Sequence, residues 1–242
     1  MSANQPLAFY DFDGTLTSGN IVRRYAYLTW HQPSRTRAVW KYAKLLLSLP
    51  MWLVMEYRSR RKFNIVFFRE YRGMKEATLR SQAEQLFYEE ILPTIYPDTK
   101  ALLQEDRRQG YLPVLVTGEL DVALEGVIRY LGFQAVICNS LVLEDGVATG
   151  EVKAPLIAEE EKVRVMEALC RECGTEMKQS KAYSDSFSDL PMLEAVGIPV
   201  AVNPDRRLKR VALERGWTIL DLKRGIDVNR RRQQSPGGLA GI

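Results

Sequence analysis

Histidine is nearly missing from this chain: His31 is the only one in 242 residues. Phosphohistidine chemistry, imidazole triads and histidine-rich metal centres therefore have almost nothing to work with, and any chemistry falls to carboxylates, hydroxyls and lysines. His31 itself sits in a basic segment beside Pro33, away from any catalytic-looking motif. Cysteine is scarce too. Cys138, Cys170 and Cys173 cannot all pair with one another, and nothing else points to an oxidising compartment. Cys170 and Cys173 form a C-x-x-C, but late in a helical pattern and without a second ligand pair, so they read as packed thiols rather than a zinc site. Long apolar runs are absent. The longest, Leu45 to Met55, contains Pro50 and is too short to span a bilayer. The opening Met-Ser-Ala-Asn-Gln-Pro lacks the basic-then-apolar order of a signal peptide, and the expectation is a cytoplasmic protein.

What is present is a 46% hydrophobic composition, enough for a substantial core, and an uneven distribution of charge. Residues 18–90 hold 14 Lys or Arg against 6 Asp or Glu, whereas the remainder holds 20 against 24. The basic part attracts anions: a phosphorylated metabolite, a lipid phosphate, or an anionic membrane surface. No nucleic-acid recognition module or repeated aromatic platform is visible, so no nucleic acid is expected, and no permanent protein partner is predicted.

Residues 7–10, Leu-Ala-Phe-Tyr, read as a buried strand. From residue 18 to about 92 strand signals vanish, and helices are predicted over Arg23–Trp30, Arg35–Ser48, Trp52–Arg72 and Met74–Glu90, punctuated by Pro33 and Pro50. From Pro97 the pattern alternates. Helices over Asp98–Gln109, Leu120–Leu131, Glu159–Cys173, Leu190–Val196 and Arg206–Glu214 interleave with strands over Leu112–Val116, Ala135–Cys138, Lys181–Ser184, Ile198–Val202 and Trp217–Leu220. A hairpin is predicted over Leu141–Thr149, turning at Asp145-Gly146. This rhythm predicts an α/β fold, Rossmann-like, with a mainly parallel sheet flanked by helices and an inserted helical domain. The divisions are a discontinuous core over 1–17 and 93–226, a helical insertion over 18–92, and a disordered tail over 227–242.

Ligand sites in such sheets lie at the carboxyl ends of strands, and three ends carry chemistry: Asp11 to Thr15, Thr117-Gly118, and Asp185 to Asp189. Asp11 and Asp13 alternate along an extended segment and share one side. Two carboxylates so placed repel unless a cation or a proton lies between them, which asks for a metal.

The run Asp11-Phe-Asp-Gly-Thr15 resembles motif I of the haloacid dehalogenase (HAD) superfamily. Val114-Leu-Val-Thr-Gly118 is similar to its motif II, Lys162 falls at the position of the motif III lysine, and Tyr183-Ser-Asp-Ser-Phe-Ser-Asp-Leu-Pro-Met-Leu193 resembles motif IV of the phosphoserine phosphatase branch. The resemblance implies a Mg²⁺-dependent phosphomonoester hydrolase of subclass IB. It implies Asp11 as the nucleophile that becomes an aspartyl phosphate and Asp13 as general acid, then base. Gly14, Thr117, Gly118 and Lys162 would bind the phosphoryl group. Asp11, Asp185 and the Asp13 carbonyl would hold Mg²⁺, and Asp189 would support Lys162 or a metal-bound water. Lys153 is the rival for the lysine role; Lys162 is preferred because it opens an amphipathic helix. Residues 18–92 resemble the cap inserted after motif I, which encloses the site and sets substrate choice. Two departures stand out. Gly19-Asn20 replaces the glutamate that binds the amine of phosphoserine in that branch, which leaves the substrate open, and Glu119 stands where a glycine is common, adding negative charge unless it points away. The alternatives are a phosphotransferase or mutase using the same intermediate, and a non-catalytic protein docking through its basic cap to a membrane or partner.

Overall fold

The computed structural model describes residues 4–223, so the tail expected over 227–242 lies outside the described residues. Strand β1 (Leu7–Tyr10) is buried along its whole length. The chain then forms α1 (Ile21–Trp30), α2 (Arg35–Arg58), α3 (Arg60–Phe68) and α4 (Glu76–Leu86), and leaves α4 through a π-helical turn at Phe87–Ile91. The rest alternates: α5 (Thr99–Arg108), β2 (Leu112–Leu120), α6 (Glu125–Leu131), β3 (Ala135–Asn139), a hairpin of β4 (Leu141–Glu144) and β5 (Val147–Val152), α7 (Glu160–Glu172), β6 (Lys181–Ser184), α8 (Leu190–Ala195), β7 (Ile198–Val202), α9 (Arg206–Glu214) and β8 (Thr218–Leu220).

Six of these strands pair in the order β3-β2-β1-β6-β7-β8, all parallel. The α/β, Rossmann-like architecture with helices on both faces is thus observed. The two-residue period of a strand sorts the core. Ala8 and Tyr10 face one layer, where they pack with the helices of residues 21–103, while Leu7 and Phe9 face the other, with α7, α8 and α9. Strand β1 lies between β2, where the chain continues in one direction, and β6, where it continues in the other. That reversal of strand order makes the carboxyl ends of β1 and β6 the natural crevice.

Two local expectations are corrected and a third is met. Pro50 does not separate two helices; it lies inside α2, on an exposed stretch where a carbonyl left without its usual donor can meet water. The break comes at Ser59, whose hydroxyl accepts from the Lys62 amide (3.3 Å) and caps α3. Strand β2 runs on past Val116 to Leu120, with a register shift against β3 between those residues, so Thr117 and Gly118 lie in an irregular stretch of strand and α6 starts only at Glu125. The hairpin turns at Asp145-Gly146 with φ of 50° and 73°, the two positive values its tight turn requires.

Candidate active site

The site is built where β1 stops. The Asp11 amide donates to the Tyr183 carbonyl (3.0 Å) and keeps the two central strands together to their ends, which sets the Asp11 carboxylate beside β6. Lys162, on the first turn of α7, reaches across and donates to Asp11 Oδ1 (2.7 Å) and to Asp189 Oδ2 (2.8 Å). Asp189 Oδ2 also accepts from the Ser184 hydroxyl (2.8 Å). All three charged groups are buried. Lys153 is exposed after the hairpin and takes no part.

Asp185 leans over Gly14. Its Oδ1 accepts from Thr15 Oγ1 (3.1 Å), and a Cβ on Gly14 would overlap its carboxylate, so glycine is needed there both for space and for a φ of +80°. The Gly14 amide donates to the Thr17 carbonyl inside the turn (2.8 Å). Thr117 is buried, and its hydroxyl accepts from the Glu119 amide (3.1 Å), which leaves its own hydrogen to donate. Gly118 faces the same small cavity as Asp11 and Lys162.

Electrostatics separates the carboxylates. Burial raises Asp185 to about 8, and the nearby Asp11 charge adds to it. Burial raises Asp11 to about 6, against the pull of Lys162. Burial works against the Lys162 charge, but the two carboxylates it holds outweigh this and push it up. Two buried carboxylates that resist ionising together form the kind of donor pair a hard cation takes, since Mg²⁺ uses one or two carboxylates and keeps water and phosphate for its remaining positions. No group of three or more His, Cys, Asp or Glu suited to a metal occurs among the described residues.

Asp13 binds Arg24. The guanidinium Nη2 lies 2.5 Å from both Asp13 oxygens, and Arg24 Nε donates to Glu119. Arg24 and Glu119 are each 2% exposed. The departure at Glu119 therefore adds no loose charge to the site: the carboxylate turns into α1 and accepts from Arg24 and from the Leu120 amide (2.8 Å). The departure at Asn20 has a local explanation as well, since its side chain accepts from the Arg23 amide (2.9 Å) and caps α1.

Sequence reasoning missed Arg24 and Asn64. Asn64, on α3, is 1% exposed, and its amide nitrogen has no hydrogen-bond partner, although it lines the small cavity with Asp11, Gly118 and Lys162. A lone amide between Phe63 and Ile65 was the signal available. His31 is remote from this site; its ring packs on Tyr27.

The fold and this arrangement define a class. The family model for haloacid dehalogenase-like hydrolases matches residues 8–194, and the chain belongs to that family. It is 35% identical over 167 residues to the inhibition of morphological differentiation protein of Streptomyces azureus, a match covering 69% of this chain and 59% of that one. It is 32% identical over 159 residues to a probable phosphatase of Mycobacterium tuberculosis, covering 66% of this chain and 55% of that one. The chain thus matches little more than half the length of these relatives. Among solved structures, a phospho-aspartyl intermediate analogue of phosphoserine phosphatase superposes with a TM-score of 0.67 at 18% identity, covering 95% of this chain and 98% of that one, which shows the shared fold.

Proposed function

We propose that the chain is a phosphomonoester hydrolase that works through an aspartyl phosphate on Asp11. The observation that carries this reading is the buried Lys162 bridge. It occupies Asp11 Oδ1, leaving Oδ2 as the nucleophile, and it sets a fixed positive charge beside the atom under attack. Asp11 Oδ2 bonds to phosphorus as the ester P–O bond breaks, and Asp13 gives a proton to the departing oxygen. Water then loses a proton to Asp13 and attacks phosphorus, which breaks the acyl-phosphate bond and restores the Asp11 carboxylate. Mg²⁺ held by Asp11, Asp185 and the Asp13 carbonyl would supply positive charge against the transferring group. Thr117 and Asn64 supply uncharged donors, and Arg24 holds Asp13 in place, with one of the two Asp13 oxygens leaving the guanidinium to carry the proton.

The helices of residues 18–92 serve as the cap. Beneath them, a cavity of ≈ 330 Å³ brings Asp13, Gly14 and Asp185 together with Leu49, Trp52 and Phe63, and Arg60 is the single cation in its lining. Apart from the catalytic aspartates this lining offers no carboxylate for a substrate amine. It suits a small phosphomonoester with an apolar or anionic body better than a zwitterionic phosphoamino acid. Phosphate release from a panel of phosphomonoesters tests the reading. Turnover should require Mg²⁺, stop on chelation, and vanish in Asp11→Asn; turnover that survives Asp11→Asn overturns it.

A further inference from the structure

Helix α2 presents apolar residues to solvent along its length. Trp40 (70% exposed), Leu46, Leu47 (82%), Met51, Val54 and Tyr57 (75%) recur at helical spacing, while Ala38, Leu45 and Trp52 face the interior. At 100° per residue the exposed set falls within one arc of about 140°, and from residue 40 to 57 it runs for roughly 26 Å along the axis. Single exposed apolar residues are ordinary, but a continuous stripe of this size marks a surface that meets something apolar. Cations rim it. Arg35 precedes the stripe, and Arg58, Arg61 and Lys62, all exposed, follow it. From His31 to Arg69 the sequence holds nine Lys or Arg and a single acid.

We propose that this face of α2 docks on the surface of a bilayer containing anionic lipid. No helix among the described residues is long and apolar enough to cross a membrane, so α2 lies in the interfacial plane, with its apolar arc among the acyl chains and its terminal cations at headgroup phosphates. A second copy of the chain fits the face poorly. Two-fold pairing of the stripe would bring the Arg35 end of one helix against the Arg58 end of the other, cation facing cation, while Glu159, the acid beside the Arg58 end, already accepts from Ser59 and the Arg61 amide. Leu53 and Tyr57 also line the cavity that contains Asp185, so docking would hold the mouth of the site at the lipid surface.

The test is sedimentation of the full chain with vesicles, which is read without turnover and stands apart from the hydrolase reading. The chain should pellet with vesicles of phosphatidylglycerol and phosphatidylcholine in equal parts, bind much less to phosphatidylcholine alone, and release as salt rises. Leu47→Glu with Val54→Glu should weaken binding by at least about tenfold, since each buries a full aliphatic side chain on docking. Its melting temperature and its turnover of a soluble ester should stay unchanged. Failure to pellet with the anionic vesicles overturns the proposal, as does pelleting that the double variant leaves intact. Concentration-dependent dimerisation without lipid, lost in that variant, assigns the face to a second copy and overturns it as well.

Discussion

Replacing Arg24 by methionine should damage the protein in two separable ways. The guanidinium is buried between Asp13 and Glu119, and its removal leaves both carboxylates inside the fold without their cation. Breaking a buried pair by deleting one partner costs about 3–5 kcal/mol, or a fall of roughly 6–20 °C in melting temperature for a chain of this size. Protonation of Glu119, already favoured by its burial, would place the loss toward the lower end. Turnover should fall by about 100-fold, the scale expected when an acid/base group is displaced by around an ångström. The double variant Arg24→Met with Glu119→Gln separates the two effects, since it removes the second stranded charge and should recover most of the stability. Activity should not return, because Asp13 still lacks the group that orients it. Denaturant unfolding and initial rates on a soluble phosphomonoester measure both. A double variant that turns over like the parent would show that Arg24 serves the fold and not Asp13; a single variant as stable as the parent would show that the bridge carries no weight.

Two further outcomes are expected. Because Asp185 rises to about 8 and Asp11 to about 6, the folded state binds protons more tightly than the unfolded one, whose aspartates titrate near 3.8; in the absence of Mg²⁺, stability contributed by these groups is greatest below that value and falls as pH rises toward 8. Added Mg²⁺ should then raise the melting temperature more at about pH 8 than at about pH 5, and Asp185→Asn should flatten the difference; equal shifts at both pH values would refute the assignment. Asn64→Ala removes a buried amide with no partner for its nitrogen, so the fold should be no less stable, while kcat/KM falls by about tenfold for the loss of one donor to the substrate. A variant that melts at a lower temperature yet keeps the parent kcat/KM would make Asn64 structural.

The parts of this protein that were legible in the sequence are those that a local pattern determines. A strand followed at once by two acids and a Gly-Thr turn is a local pattern, and Asp11, Gly14 and Thr15 stand where it puts them. Lys162 was separable from Lys153 because the first turn of a helix after a sheet strand can reach the strand ends, whereas the trailing edge of a hairpin cannot. Arg24 was illegible for the opposite reason. Beside Arg23 it counts as one more charge on a basic segment, yet one residue is 100° of helix: Arg23 side-chain exposure is 58%, with Glu90 as partner, while Arg24 is turned 2% exposed into the site. The outward face of α2 hid likewise, because a helical period of apolar residues says that one face is apolar and not which way it points.

The two pairings also explain where a dication would find its charge. Five carboxylates gather around the end of β1, and two buried cations divide four of them: Lys162 takes Asp11 and Asp189, and Arg24 takes Asp13 and Glu119. Asp185 accepts from the Thr15 hydroxyl and feels the Arg60 charge, which offsets part of the effect of its burial. Burial and the neighbouring Asp11 charge raise it to about 8, against about 6 for Asp11. Had Arg24 been absent, Asp13 and Glu119 would both compete for the cation; with it, one of those two charges is balanced inside the fold. Asp185 and Asp11 are the buried carboxylates whose remaining charge a dication would offset, so the metal dependence should follow Asp185 and the acid/base step should follow Arg24.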